Sequence, residues 1–113
     1  SMKTITQLIL SALAVGIAAY LLPGVTVDGF VVAVIVAVVL AIVNTFVKPI
    51  ITILTLPINI LTLGLFTLVI TALMVILTDY VVPGFQVAGF WSALFFGLLL
   101  ALISMVFGKG KED

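Results

Sequence analysis

Apolar side chains fill four long blocks of the chain, about Thr4–Leu22, Phe30–Val47, Ile60–Val82 and Phe90–Phe107. Each approaches the roughly 20 residues that a helix needs to cross about 30 Å of hydrocarbon. A strand of a closed barrel would alternate apolar and polar positions. These blocks are apolar all round, so they predict helices. The first and second are separated by Pro23-Gly24-Val25-Thr26-Val27-Asp28-Gly29, the third and fourth by Pro83-Gly84-Phe85-Gln86-Val87-Ala88-Gly89. Pro lacks an N–H and Gly tolerates left-handed dihedrals, so both segments read as turns. A third connection, Lys48 to Asn59, joins the two halves.

The halves match each other. Tyr20 to Phe30 aligns without gaps on Tyr80 to Phe90, and Ala12, Leu13, Val15, Leu40 and Ala41 fall on Ala72, Leu73, Val75, Leu100 and Ala101. Each half is therefore a helical hairpin, repeat 1 at about 4–47 and repeat 2 at about 60–107. Between them lies a middle segment at 48–59, and a short charged tail follows at 108–113. A hairpin returns to its starting side, so the copies share one orientation, as in parallel-repeat transporters. The expected fold class is all-α, a single integral membrane bundle of four transmembrane helices built from two parallel-repeat hairpins.

Composition sharpens this picture. The chain is 65% hydrophobic and 7% charged, against about 25% charged in a soluble domain. It lacks the polar side chains to cover a water-soluble core. A secretory signal peptide could explain only the stretch Leu8 to Ala19, since apolar blocks continue to Phe107. Ser1 ahead of Met2 has the look of a tag-cleavage scar. With no Cys, no His and zero net charge, disulfides, Cys/His metal sites and His-based catalysis are excluded. The expectation is no enzyme activity, no metal, no cofactor and no nucleic acid. No Asp, Glu, Arg or His lies at mid-block, which disfavours proton relays and ion-coupled transport, although carbonyl-lined ion sites stay open.

The second and fourth blocks carry small residues at four-residue spacing: Gly29, Ala33, Ala37, Ala41 and Gly89, Ala93, Gly97, Ala101. Ala12 and Gly16 add to them in the first block. In lipid, close backbone approach through small residues drives helix association. The stripes are expected to pack the second helix on the fourth, or to build a homo-oligomer.

In the middle, Thr45, Lys48, Thr52, Thr55, Asn59 and Thr62 recur at three- and four-residue steps, which aligns them along one helix side. Pro49 and Pro57 interrupt the segment. Three arrangements fit: an interfacial helix, a re-entrant segment around a polar cavity, or an extension of the second helix to Leu56 with Lys48 snorkelling. Asn44, matched by Ser104 in the repeat, is expected to make an interhelical hydrogen bond. Asp79 is expected among the headgroups, with Tyr20, Tyr80 and Trp91 anchoring the same surface. The candidate functional segment is Asn44, Lys48, Pro49, Thr52, Thr55, Pro57, Asn59 and Thr62, where Lys48 would meet anionic lipid.

Asn44-Thr45-Phe46-Val47-Lys48-Pro49-Ile50, Leu54-Thr55-Leu56-Pro57-Ile58-Asn59-Ile60 and Pro83-Gly84-Phe85-Gln86-Val87-Ala88-Gly89-Phe90 resemble a bacterial family. It is the phage-holin-like family, superfamily IV, of small four-transmembrane-helix proteins, and the likeness covers nearly the whole chain. One departure is Thr71, where members often carry Asn before Ala-Leu. The resemblance implies a holin, which oligomerises and permeabilises the inner membrane. Beside it stands a non-lytic envelope component that binds lipid or partner proteins. A small-solute or ion channel or transporter, using the parallel repeat, is the third reading.

Lys3, Lys48, Lys109 and Lys111 all fall on the side of the termini and the middle connection, and Asp28 and Asp79 on the other. The positive-inside rule then places both termini in the cytoplasm of a bacterial inner membrane. On intact cells, Thr26→Cys and Gln86→Cys should react with an impermeant thiol reagent and a C-terminal cysteine should not. Labelling of the C-terminus would reverse this topology.

Overall fold

The computed structural model describes residues 2–62 and 64–111; Ser1 and the charged tail positions Glu112 and Asp113 lie outside them. The elements in order are α1 (Met2–Leu21), β1 (Val25–Val27), α2 (Phe30–Ile42), a π-helical turn (Val43–Val47), α3 (Lys48–Leu54), α4 (Leu56–Leu61), α5 (Phe66–Val81), β2 (Phe85–Val87) and α6 (Phe90–Lys111). Three helical stretches are long and apolar enough to cross a membrane: Met2–Leu21, Phe30–Leu54 and Phe90–Phe107. The fourth, Phe66–Val81, is shorter at 16 residues. Its predicted start at Ile60 is wrong by six positions. Gly64, at φ +87°, turns the chain between Thr62 and Phe66, and hydropathy alone does not register that turn.

Around the bundle α1 packs on α2, α2 on α5, α5 on α6 and α6 on α1. This order puts α2 and α6 on a diagonal, so the expected packing of the second helix on the fourth is corrected. Each sits between α1 and α5 instead. The core runs from Ala12, Val15 and Ala18 through Val36, Ala37 and Leu40 to Val75, Ala93 and Phe96. Only the inner members of the stripes are used: Ala33, Ala37, Ala93 and Gly97 are buried, while Gly29, Ala41, Gly89 and Ala101 are exposed.

The two Pro-Gly connections are more than turns. Val25-Thr26-Val27 and Phe85-Gln86-Val87 form a two-stranded antiparallel ribbon, with Val25 opposite Val87, Thr26 opposite Gln86 and Val27 opposite Phe85. Both strands bury their first residue and expose their second. The ribbon continues in the Asp28 N–H donating to Gly84 O at 2.9 Å and the Ala88 N–H donating to Gly24 O at 2.7 Å. Backbone groups of two loops near the membrane thereby satisfy each other. Gly24 and Gly84 stand at φ +88° and +90°, where a side chain costs about 1–2 kcal/mol. A Cβ on Gly24 would also lie 2.7 Å from Ser92 Oγ, and one on Gly84 3.1 Å from Val32 Cγ2. Each turn is thus pressed against the first helical turn after the other strand.

Below the ribbon Phe85 is buried against Phe96, ring centroids 5.4 Å apart. Asp79 is not simply solvated. Its Oδ2 accepts the Val87 N–H at 3.1 Å and so holds the outer edge of β2. Tyr20, Tyr80 and Trp91 are largely exposed near this end, as anchors at an interface would be.

Cysteines placed at Thr26 and Gln86, directly opposed in the ribbon, should form a disulfide on mild oxidation and raise the thermal midpoint of the detergent-solubilised protein. Absence of the cross-link, read as unchanged mobility on a non-reducing gel, would contradict the pairing of the two hairpins.

Candidate functional site

The candidate segment begins inside a helix that does not end where the apolar pattern suggests. Pro49 has no N–H, and its ring would clash with the carbonyl four residues back. The backbone answers by widening: Val43–Val47 forms a π turn, and the Lys48 N–H donates to Val43 O, five residues back. Such turns absorb an irregularity without ending a helix. α3 therefore continues α2 to Leu54, near the predicted limit of the extension. The alternatives of a separate interfacial helix or a re-entrant loop over Lys48–Leu54 are corrected. Thr55 then breaks the helix at φ −104°, ψ 12°, ahead of Pro57 in the first turn of α4.

Most of the predicted polar positions meet in one network between this arm and α5. The Thr55 hydroxyl donates to Ile51 O at 2.8 Å, and Asn59 Nδ2 donates to Thr55 Oγ1 at 3.5 Å. Asn59 is buried. Its Oδ1 accepts from Thr67 Oγ1 at 3.1 Å, and its carbonyl accepts the Gly64 N–H at 2.7 Å. Thr62 donates to Ile58 O and accepts the Phe66 N–H at 3.2 Å, which caps the start of α5. One turn further along α5, Thr71 donates to Thr67 O and accepts from Lys48 Nζ at 3.4 Å.

Lys48 is half-buried, and the Thr71 contact is a long one. Helical side chains lean toward their own N-terminus, so Lys48 reaches back along the bundle rather than outward. The described carboxylates, Asp28 and Asp79, lie at the ribbon end, beside β1 and β2. Thr52 is half-buried and enters the network only through its carbonyl, at 3.4 Å from Thr55 Oγ1. Asn44 departs from expectation: it is exposed and makes no interhelical hydrogen bond among the described residues.

Thr67 and Thr71 were missed by the sequence reading, which gave Thr71 no polar role. The available signal was their spacing, since both sit on one face of α5 at a four-residue step. Gly97 belongs with them. A Cβ there would stand 2.6 Å from Thr71 Cγ2, so this glycine lets α6 close on the threonine that receives Lys48. Sixty positions earlier the pair is Ser11 and Ala37, with the methyl group moved from one helix to the other. Along α1, Gly16 borders a groove of about 600 Å³ that is rimmed by Tyr20 and Phe30.

A family model described as mycobacterial 4 TMS phage holin, superfamily IV, matches residues 2–106. An uncharacterized protein of Streptomyces coelicolor is 41% identical, over 96% of this chain and 95% of its own length. The uncharacterized membrane protein YvlD of Bacillus subtilis is 28% identical, over 76% of this chain and 81% of its own. No solved structure matches significantly.

Gly97→Ala should destabilise the protein by about 1–3 kcal/mol, the usual cost of overpacking, because Thr71 cannot turn aside without losing its hydrogen bonds. Thr71→Ser removes only the obstructing methyl, so the double variant should recover most of that loss in a detergent melt. Equal stability of Gly97→Ala and the parent would show that the contact is slack.

Proposed function

Because the chain belongs to the 4 TMS phage holin family, superfamily IV, we propose that it is a small, non-catalytic bacterial inner-membrane protein that acts through its surfaces. The reading rests on the filled interior. Val36 and Phe96 are fully buried at mid-bundle, and Val82 and Phe85 are nearly so beneath the ribbon. A solute path along the bundle would have to displace these side chains, which argues against a channel within one chain. A holin-type lesion would require several chains, and the family match keeps that as the second reading.

The surface we put forward is the lysine-bearing end, with membrane lipid as the partner. Lys48 holds one long hydrogen bond and faces no described carboxylate, so by giving up the Thr71 contact and swinging outward its ammonium would meet an anionic headgroup. The Thr55–Asn59–Thr67 bonds support this by fixing the arm that carries it. The same reading takes the hairpins as parallel repeats with both termini cytoplasmic. Reciprocal bonds from Asp28 to Gly84 and from Ala88 to Gly24, at positions sixty apart, support the repeat.

Two measurements test this. Induced expression in a bacterium bathed in a membrane-impermeant dye should leave the dye outside; rapid entry would favour the holin reading instead. Protein extracted with its surrounding lipid should retain anionic phospholipid in the parent and in Lys48→Arg. In Lys48→Gln that retention should fall about fivefold, the equivalent of roughly 1 kcal/mol per basic residue at a membrane surface. Equal retention in all three would leave Lys48 without a headgroup role.

A further inference from the structure

Between α1, α2 and α6, toward the lysine-bearing end, lies a cleft of about 140 Å³. Three polar side chains open into it: Ser11 from α1, Asn44 from the π turn and Ser104 from α6. Its apolar floor includes Leu40 and Leu100, and Ala37 and Ala41 leave the space that larger side chains would fill. Counting from Phe30 at about 1.5 Å per residue, Asn44 lies roughly 21 Å along a span of about 30 Å. It therefore sits inside the hydrocarbon zone, short of the headgroups.

Several threonines elsewhere in the bundle find a main-chain acceptor. Thr55, Thr62, Thr71 and Thr78 each donate to a carbonyl of their own helix. Ser11, Asn44 and Ser104 make no side-chain hydrogen bond among the described residues. Asn44 and Ser104 are exposed and Ser11 is half-buried, and all three line the cleft. The main chain adds a fourth group. The Lys48 N–H is taken by Val43 O and Pro49 has none, so neither helical donor that could reach the Asn44 carbonyl is available. In hydrocarbon such groups must find partners.

We propose that the cleft is a hydrated vestibule, in which a few water molecules enter from the lysine-bearing end and complete the hydrogen bonds of Asn44, Ser11 and Ser104. The chemistry fits water: donors and acceptors are mixed, none is charged, and the space suits about four molecules at ~30 Å³ each. The same geometry would admit small uncharged hydrogen-bonding solutes. The vestibule is blind, because Leu40 and Leu100 close it and the fully buried Val36 and Phe96 lie beyond.

The native chain contains no cysteine, so single thiols report without background. Ser11→Cys and Ser104→Cys are nearly isosteric, and Asn44→Cys probes the π turn; Ile42→Cys, exposed at similar depth, reports lipid. In proteoliposomes with a charged methanethiosulfonate reagent on both sides, the three cleft thiols should react at least about tenfold faster than Ile42→Cys, because the reagent requires a water-exposed thiolate. Rates equal to that of Ile42→Cys would show a dry cleft and overturn the proposal. So would oxidative cross-linking of Asn44→Cys between chains, which would assign the cleft to a second copy. Reagent on both sides makes the result independent of the topology.

Discussion

The whole molecule answers to one constraint: inside hydrocarbon no water is at hand to satisfy a backbone N–H or C=O, so the protein must do it. A helical hairpin meets that demand along its length but not at its connection. Here the two connections meet it for each other. Seven residues of each run between Pro and Gly, and the central three pair as a ribbon whose flanking bonds reach Gly24 and Gly84. Asp79 takes up one more strand amide, that of Val87. The ribbon therefore does more than close a loop. Its hydrogen bonds join two hairpins that lie far apart in sequence, and the close approach of each glycine to the opposite hairpin shows how little slack remains.

The same constraint explains the other end. Two prolines in the middle connection would each leave carbonyls without donors. At Pro49 the helix widens into a π turn and continues; at Pro57 it stops, and Thr55 supplies the break. Threonine and asparagine hydroxyl and amide groups then cover much of what the breaks expose. Thr62 caps α5, and Asn59 bridges the arm to Thr67. A polar stripe that looks on paper like a water-facing edge is thus partly an internal brace, with Asn59 buried inside it.

Much of this was legible from apolar block length, Pro-Gly punctuation and the repeat. The helices of both hairpins, the exposure of Tyr20 and Tyr80 beside the Pro-Gly turns and the inner members of the small-residue stripes follow from those patterns. What escaped was pairing at a distance. Val25-Thr26-Val27 is too short to register as a strand, and its partner lies sixty positions on. Nor does a small-residue stripe say which neighbour it faces. Gly97 meets Thr71 on α5, not α2, because bundle order decides that and block periodicity does not. The π turn was hidden for a different reason, since Pro49 signals an interruption but not whether the helix ends or adapts.

The differences between the halves are more informative than their likeness. At the ribbon end several substitutions across the repeat keep apolar character, as Leu22 and Val82 or Val25 and Phe85 do, but Asp28 falls on Ala88 and Asp79 on Ala19. Toward the other end chemistry changes as well. Thr71 and Gly97 replace Ser11 and Ala37 with the total volume kept and one methyl moved between helices; Gly97 closes directly on Thr71, while Ser11 and Ala37 line the cleft. Asn44 faces the cleft where the repeat has Ser104, and Lys48 stands where it has Gly108. Back at the ribbon end, Gly16 borders an open groove, whereas Ile76 packs on the core. The ribbon tolerates these exchanges because its pairing is made by main-chain groups and set by the two Pro-Gly turns, which the halves share, while the side chains around it are free to differ.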